Sequence, residues 1–212
     1  PHSAERLPTG VSGLDSILHG GLVKGGVYMV LGMPGAGKTI LGNQVCFHHA
    51  ATGGRALYVT LLAESHTRMI GNLSSMAFFE PSRIPDSMTY LSAYSVQEEG
   101  GLDALLHLLR TEVKSQGASL LILDGLVAAE EVAPTERAFK KFIHELQVTT
   151  GMIGCTTLLL TTGSGKGLRA EHTMVDGLFV LRERTLGVRA VRELELLDRV
   201  AALEKGNGEL NR

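Results

Sequence analysis

Gly32-Met33-Pro34-Gly35-Ala36-Gly37-Lys38-Thr39 is the stretch on which the fold turns. It matches the pattern G-x-x-x-x-G-K-[ST], and its surroundings matter as much as the match. The apolar run Val27-Tyr28-Met29-Val30-Leu31 before it reads as a buried strand. Lys38 to Ala51 after it reads as a helix, with Ile40, Leu41, Val45 and Cys46 on one side. Strand, glycine loop and helix in that order make the frame a phosphate-binding loop needs. The glycines let the backbone turn so that several N–H groups converge on phosphate oxygens. The helix start adds further free N–H groups and the positive end of its dipole. Lys38 supplies a cation for the β- and γ-phosphates, and the Thr39 hydroxyl supplies a ligand for Mg²⁺. Gly32, Met33, Pro34, Gly35, Ala36, Gly37, Lys38, Thr39 and Ile40 therefore form the expected site for a nucleoside triphosphate, ATP with Mg²⁺. The second glycine cluster, Gly163-Ser164-Gly165-Lys166-Gly167, lacks the spacing and reads as a surface loop.

From Gly26 onward, strand-like and helix-like segments alternate, which predicts an α/β fold with a mostly parallel central sheet flanked by helices. Further strands are expected at Ala56–Leu61, Thr89–Ser92, Ser119–Asp124, Cys155–Thr161, Gly177–Arg182 and Ala190–Leu197. Helices are expected at His66–Met76, Leu102–Gln116 and Thr135–Val148, the last capped by Thr135, while Glu130-Glu131 reads as loop. In an open parallel sheet the ligand crevice lies at the carboxyl ends of the strands. Asp124 ends a strand there and is the candidate acid for the Mg²⁺ shell, together with Thr39. Hydrolysis needs a group that orients or deprotonates water near the γ-phosphate. Glu64, just past the second strand, is the candidate by position, ahead of Glu80 and Glu130, with Lys38 beside it in the catalytic set.

With 212 residues the chain has the length of one domain, and 44 % hydrophobic residues are ample for a core. The net charge of −2 argues against a broad basic surface for nucleic acid. No run approaches the ~20 apolar residues of a membrane helix. Cys46 and Cys155 sit in apolar stretches without metal-like spacing, so they read as buried free thiols and point to the cytoplasm.

Thr9-Gly10-Val11-Ser12-Gly13-Leu14-Asp15, then Gly20-Gly21-Leu22, lead directly into Gly32–Thr39. Ala63-Glu64-Ser65, Leu123-Asp124, Thr156–Thr162 and Val175-Asp176-Gly177-Leu178-Phe179-Val180-Leu181 follow in order. Together they resemble the RecA superfamily, and within it the KaiC-like ATPases of the circadian-clock type. The resemblance implies a RecA-like P-loop core, expected over residues 7–200; from the residues themselves 1–6 read as a tag remnant or flexible N-terminus and 201–212 as a tail or linker. It implies slow hydrolysis and assembly into rings, usually hexamers, with ATP between subunits. Clock proteins carry two adjacent glutamates after the second strand, where this chain has Ala63-Glu64, and Lys and Arg in the last core strand, where it has Leu197-Asp198-Arg199-Val200 with Arg199 alone. The expected function is a Mg-ATP-binding, slowly hydrolysing regulatory or signalling ATPase that forms nucleotide-dependent rings and serves an unidentified protein partner. Two alternatives stand beside it. One is a RecA-like single-stranded-DNA-binding ATPase, resting on Lys166 and Arg169; the other is a nucleotide-binding scaffold with little turnover, resting on Ala63.

Overall fold

Strand residues that face opposite ways are both apolar here, so each strand must be covered on two sides. The computed structural model describes residues 5–63, 66–163, 172, 174–186 and 189–197, and it meets that demand with a single sheet between two layers of helix. A short antiparallel pair, β1 (Arg6–Leu7) and β2 (Leu22–Val23), encloses α1 (Ser12–Ile17). Then follow β3 (Val27–Gly32), α2 (Lys38–Ala51), β4 (Ala56–Thr60), α3 (His66–Leu73), β5 (Met88–Ser92) and α4 (Tyr94–Gln116). The chain continues through β6 (Leu120–Asp124), α5 (Leu126–Val132), α6 (Glu136–Ile153), β7 (Thr156–Thr162), β8 (Gly177–Leu186) and β9 (Arg189–Leu197). The larger sheet runs β5-β4-β6-β7-β3-β8-β9, with every neighbouring pair parallel except β8 with β9. This is the mostly parallel α/β arrangement that the alternation predicts, consistent with a RecA-like P-loop core.

The two faces can be read from residue parity. Met29, Leu31, Leu57, Val59, Leu121, Leu123 and Leu159 pack with Leu105 and Leu109 of α4 and with Phe139, Phe142, Ile143 and Leu146 of α6. Tyr28, Val30, Tyr58, Ile122, Leu158 and Leu160 pack with Leu41, Val45, Cys46 and Phe47 of α2. Asp124 has the parity of Ile122, which puts it on the α2 side at the carboxyl end of β6. Both cysteines are buried and free, and burial pushes the Cys155 thiol up to about 12. Among the described residues no helix is long and apolar enough to cross a membrane.

The motifs that flank the phosphate loop fix the ends of its strand. Asp15 accepts from Thr9 N at 2.8 Å, Thr9 Oγ1 at 2.7 Å and Gly10 N at 3.1 Å, so the leader folds around one carboxylate. Gly10 then passes so close to α2 that a Cβ there would lie 2.4 Å from the His48 ring. At the foot of β3, Asp176 Oδ2 accepts from Val27 N at 2.8 Å while Asp176 N donates to Val27 O at 2.7 Å. This reciprocal pair starts β8 in register beside β3.

Four helical segments differ from the sequence expectation. Helix α4 begins at Tyr94, not Leu102, and is interrupted at Gly101 (φ 67°, ψ −161°), which breaks the apolar periodicity there. Glu130 and Glu131 lie in α5, a helix of seven residues held by the burial of Leu126 and Ala129. Helix α3 stops at Leu73, whereas α6 runs on to Ile153 and is closed by Gly154 (φ 76°). Thr135 caps α6 as expected, accepting from Ala138 N at 3.1 Å.

Helix α2 seats on the sheet through Gly42, where a Cβ would lie 3.0 Å from Leu160 Cδ1 and 3.2 Å from Ile122 Cγ2. Gly42→Val adds bulk where there is no room, and the expected cost is about 1–3 kcal/mol. Urea unfolding checks it: the variant midpoint should fall, and an unchanged midpoint would show that α2 is free to move off the sheet.

Candidate functional site

The turn from β3 into α2 builds the loop. Ala36 N donates to Met33 O at 3.1 Å, and Gly35 (φ 83°) and Gly37 (φ 99°) take the left-handed conformation that glycine adopts without strain. Gly37 is also the N-cap of α2 and offers no side chain, so the first N–H groups of the helix are not consumed by a cap. Lys38 folds back along the loop and donates to Gly32 O at 2.7 Å and Met33 O at 3.1 Å. Burial lowers its pKa, and the nearby Asp124 works in the opposite direction.

Thr39 stands on the first turn of α2 and reaches across to β6. Its hydroxyl donates to Asp124 Oδ2 at 2.8 Å. The same oxygen accepts from the Tyr58 hydroxyl of β4 at 2.6 Å. Asp124 is only 7 % exposed and Tyr58 not at all. Burial first, and then the charge of Asp124, push the Tyr58 hydroxyl well above its usual range, so it stays a proton donor. Tyr90 packs against Tyr58 with ring centroids 5.6 Å apart and donates to Asn43 Oδ1 at 2.6 Å. Asn43 Nδ2 in turn donates to Thr39 O at 2.8 Å. A hydroxyl and a carboxylate this close at a phosphate-type loop are hard oxygen donors of the kind Mg²⁺ uses alongside water and phosphate. The donor set therefore fits Mg²⁺.

Gly32, Met33, Pro34, Gly35, Ala36, Gly37, Lys38, Thr39 and Ile40 thus lie together, and Thr39 meets Asp124 directly. Glu64 lies outside the described residues, as do Lys166, Arg169 and Arg199. The path toward Glu64 is described up to Ala63. Thr60 pairs with Asp124, and Leu61 N donates to Asp124 O at 2.9 Å, so the chain leaves β4 beside the acid. Gln97 of α4, wholly buried, donates to Leu61 O at 2.9 Å and holds that exit.

Sequence reasoning missed Tyr58, Gln97 and Arg192. The first two carry no motif signal, since one polar atom in an apolar run reads as core. Arg192 is a matter of strand parity. On β9, Glu193 pairs with Arg184 at 3.0 Å and Glu195 with Arg182. One step out of phase, Leu194 and Leu196 pack on the α2 face. Arg192 shares their phase and lies over the loop, with Nε donating to Ala36 O at 3.2 Å. Alternation along β9 gives the face, but not the loop beneath it.

A family model described as "ATPase: KaiC" matches residues 7–199. A circadian clock oscillator protein KaiC from Picosynechococcus sp. is 26 % identical over 208 residues, which cover 91 % of this chain and 40 % of that protein. A circadian clock protein KaiC2 from Synechocystis sp. is 29 % identical over 206 residues, 91 % of this chain and 36 % of the relative. A UPF0273 protein from Thermotoga maritima is 26 % identical over 195 residues, covering 84 % of this chain and 79 % of its own length. The chain thus spans 40 % or less of those two clock proteins and most of the third relative. With the family match running almost end to end over a phosphate loop and a parallel sheet of the matching kind, this chain belongs to the KaiC family of ATPases, in the RecA superfamily.

Proposed function

We propose that the chain binds Mg²⁺-ATP at Gly32–Thr39 and hydrolyses it slowly, as a regulatory or signalling module that assembles into rings when nucleotide is bound. The observation that carries this reading is the Thr39–Asp124 hydrogen bond beside a glycine loop whose helix N-terminus is uncapped by any side chain. The N–H groups of the loop and of α2 bind the phosphates, and Lys38 adds a cation to the β- and γ-phosphoryl oxygens. Thr39 and Asp124 hold Mg²⁺, which when bound neutralises charge on the phosphates. Glu64 orients the attacking water or takes its proton. Arg192 adds a second cation over the loop from the same chain. A cytoplasmic location accords with ATP use and with two buried reduced thiols.

Ring assembly, with six copies the usual number, is carried over from the family resemblance. It is supported by two exposed apolar side chains beside the site, Met33 on the loop (57 % exposed) and Leu62 after β4 (39 %). A partner surface that covered them would join the nucleotide site to the subunit contact. A further protein partner of the ring is part of the same proposal.

Lys38→Ala should weaken ATP binding by about tenfold or more, through loss of a charged hydrogen-bond donor. Calorimetric titration checks this, and an unchanged affinity would sink the site assignment. Glu64→Gln should lower kcat by about 100-fold while leaving ATP affinity intact. Turnover at the parent rate would remove Glu64 from the mechanism. Light scattering with and without Mg²⁺-ATP at micromolar protein should show a rise to the mass of a ring, whereas a monomer under both conditions would dismiss assembly.

A further inference from the structure

The hydroxyl of Tyr58 has no packing reason to be there. Its cross-strand partners are Ile122 and Tyr90, it lies in the apolar cluster that α2 covers, and a phenylalanine would fill the same space. A buried hydroxyl is costly unless it is bonded, and this one is spent on Asp124 Oδ2 at 2.6 Å. The ring cannot swing away. Tyr90 packs on one side of it, and Gly42 of α2 comes so close that a Cβ there would lie 3.4 Å from Tyr58 Cε2.

We propose that Tyr58 is a positioning residue for the metal acid: with Thr39, its hydroxyl pins one oxygen of Asp124, so that the carboxylate meets Mg²⁺ in a single orientation. The inference rests on the Mg²⁺-ATP reading of the site. Both observed donors fall on Oδ2, which leaves Oδ1 as the oxygen engaged by neither hydroxyl. Thr39 has lone pairs to give a cation while its hydroxyl proton stays directed at Asp124. A carboxylate held by Thr39 alone could rotate about that one bond, and the second donor removes the freedom. Partners of this kind, bonded to a ligand and not to the ion, typically change metal affinity or activity by about 10–100-fold.

Tyr58→Phe removes the hydroxyl and keeps the ring. A fluorescent ATP analogue titrated with Mg²⁺ provides a readout independent of turnover. The variant should need about tenfold more Mg²⁺ for half-maximal tight binding, with its affinity in EDTA unchanged. Excess Mg²⁺ should restore most of any lost kcat. Tyr28→Phe is the matching control. Its side chain is also buried and its hydroxyl accepts from Val23 N at 2.8 Å, but it lies by the opposite end of β3. It should leave the Mg²⁺ requirement unchanged even where it lowers the unfolding midpoint. An unchanged Mg²⁺ requirement in Tyr58→Phe, or an equal rise in both variants, overturns the proposal while the ATP reading stands. A parent protein whose ATP binding ignores Mg²⁺ overturns both.

Discussion

A carboxylate at the end of a buried strand must find donors or a cation, because leaving it bare in an apolar setting costs several kcal/mol. In this chain Asp124 meets that constraint with two hydroxyls on one oxygen, one from the helix after the phosphate loop and one from the neighbouring strand. The bond to Thr39 ties the first turn of α2 to β6, across the strand that lies between β6 and β3. The bond to Tyr58 ties β6 to β4 on the face that α2 covers. The loop's shape, the seating of α2 and the exit of the chain toward Glu64 are all referred to this one group.

The two layers of the fold serve different ends. The α2 layer is tight, closed by Gly42 against Leu160 and Ile122, and it carries the contacts among Lys38, Thr39, Asn43, Tyr58 and Asp124. The opposite layer is built from longer helices with bulky aromatic contacts at Phe139 and Phe142. Gln97 reaches from that layer to Leu61 O, and so links it to the strand exit. The β8–β9 hairpin brings Arg192 in from the edge.

Much of this was legible in the residues. Glycine spacing between a strand and a helix needs little tertiary context, so the loop could be read directly. Strands buried on both faces show as continuous apolar runs, and an acid closing such a run, as Asp124 does, stands out. What stayed hidden has physical causes. The first turns of α4 are masked because Gly101 restarts the helix out of phase. The seven residues of α5 are too few to show periodicity and are helical through the burial of Leu126 and Ala129. The leader could be matched but not explained, since its logic is a single carboxylate, Asp15, receiving three donors from residues up to six positions away. Tyr58 and Arg192 matter through what lies across from them, and one-dimensional spacing does not carry that.

The folded-back lysine has a consequence for the thermodynamics of recognition. Lys38 bridges two carbonyls of its own loop, Gly32 O and Met33 O, and so ties the end of β3 to the start of α2. On the proposed Mg²⁺-ATP reading a phosphate oxygen competes with those two carbonyls for the ammonium, and the binding free energy is the difference between two sets of charged hydrogen bonds. The lysine thus fastens the turn and, on that reading, is a donor that phosphate must win from Gly32 O and Met33 O.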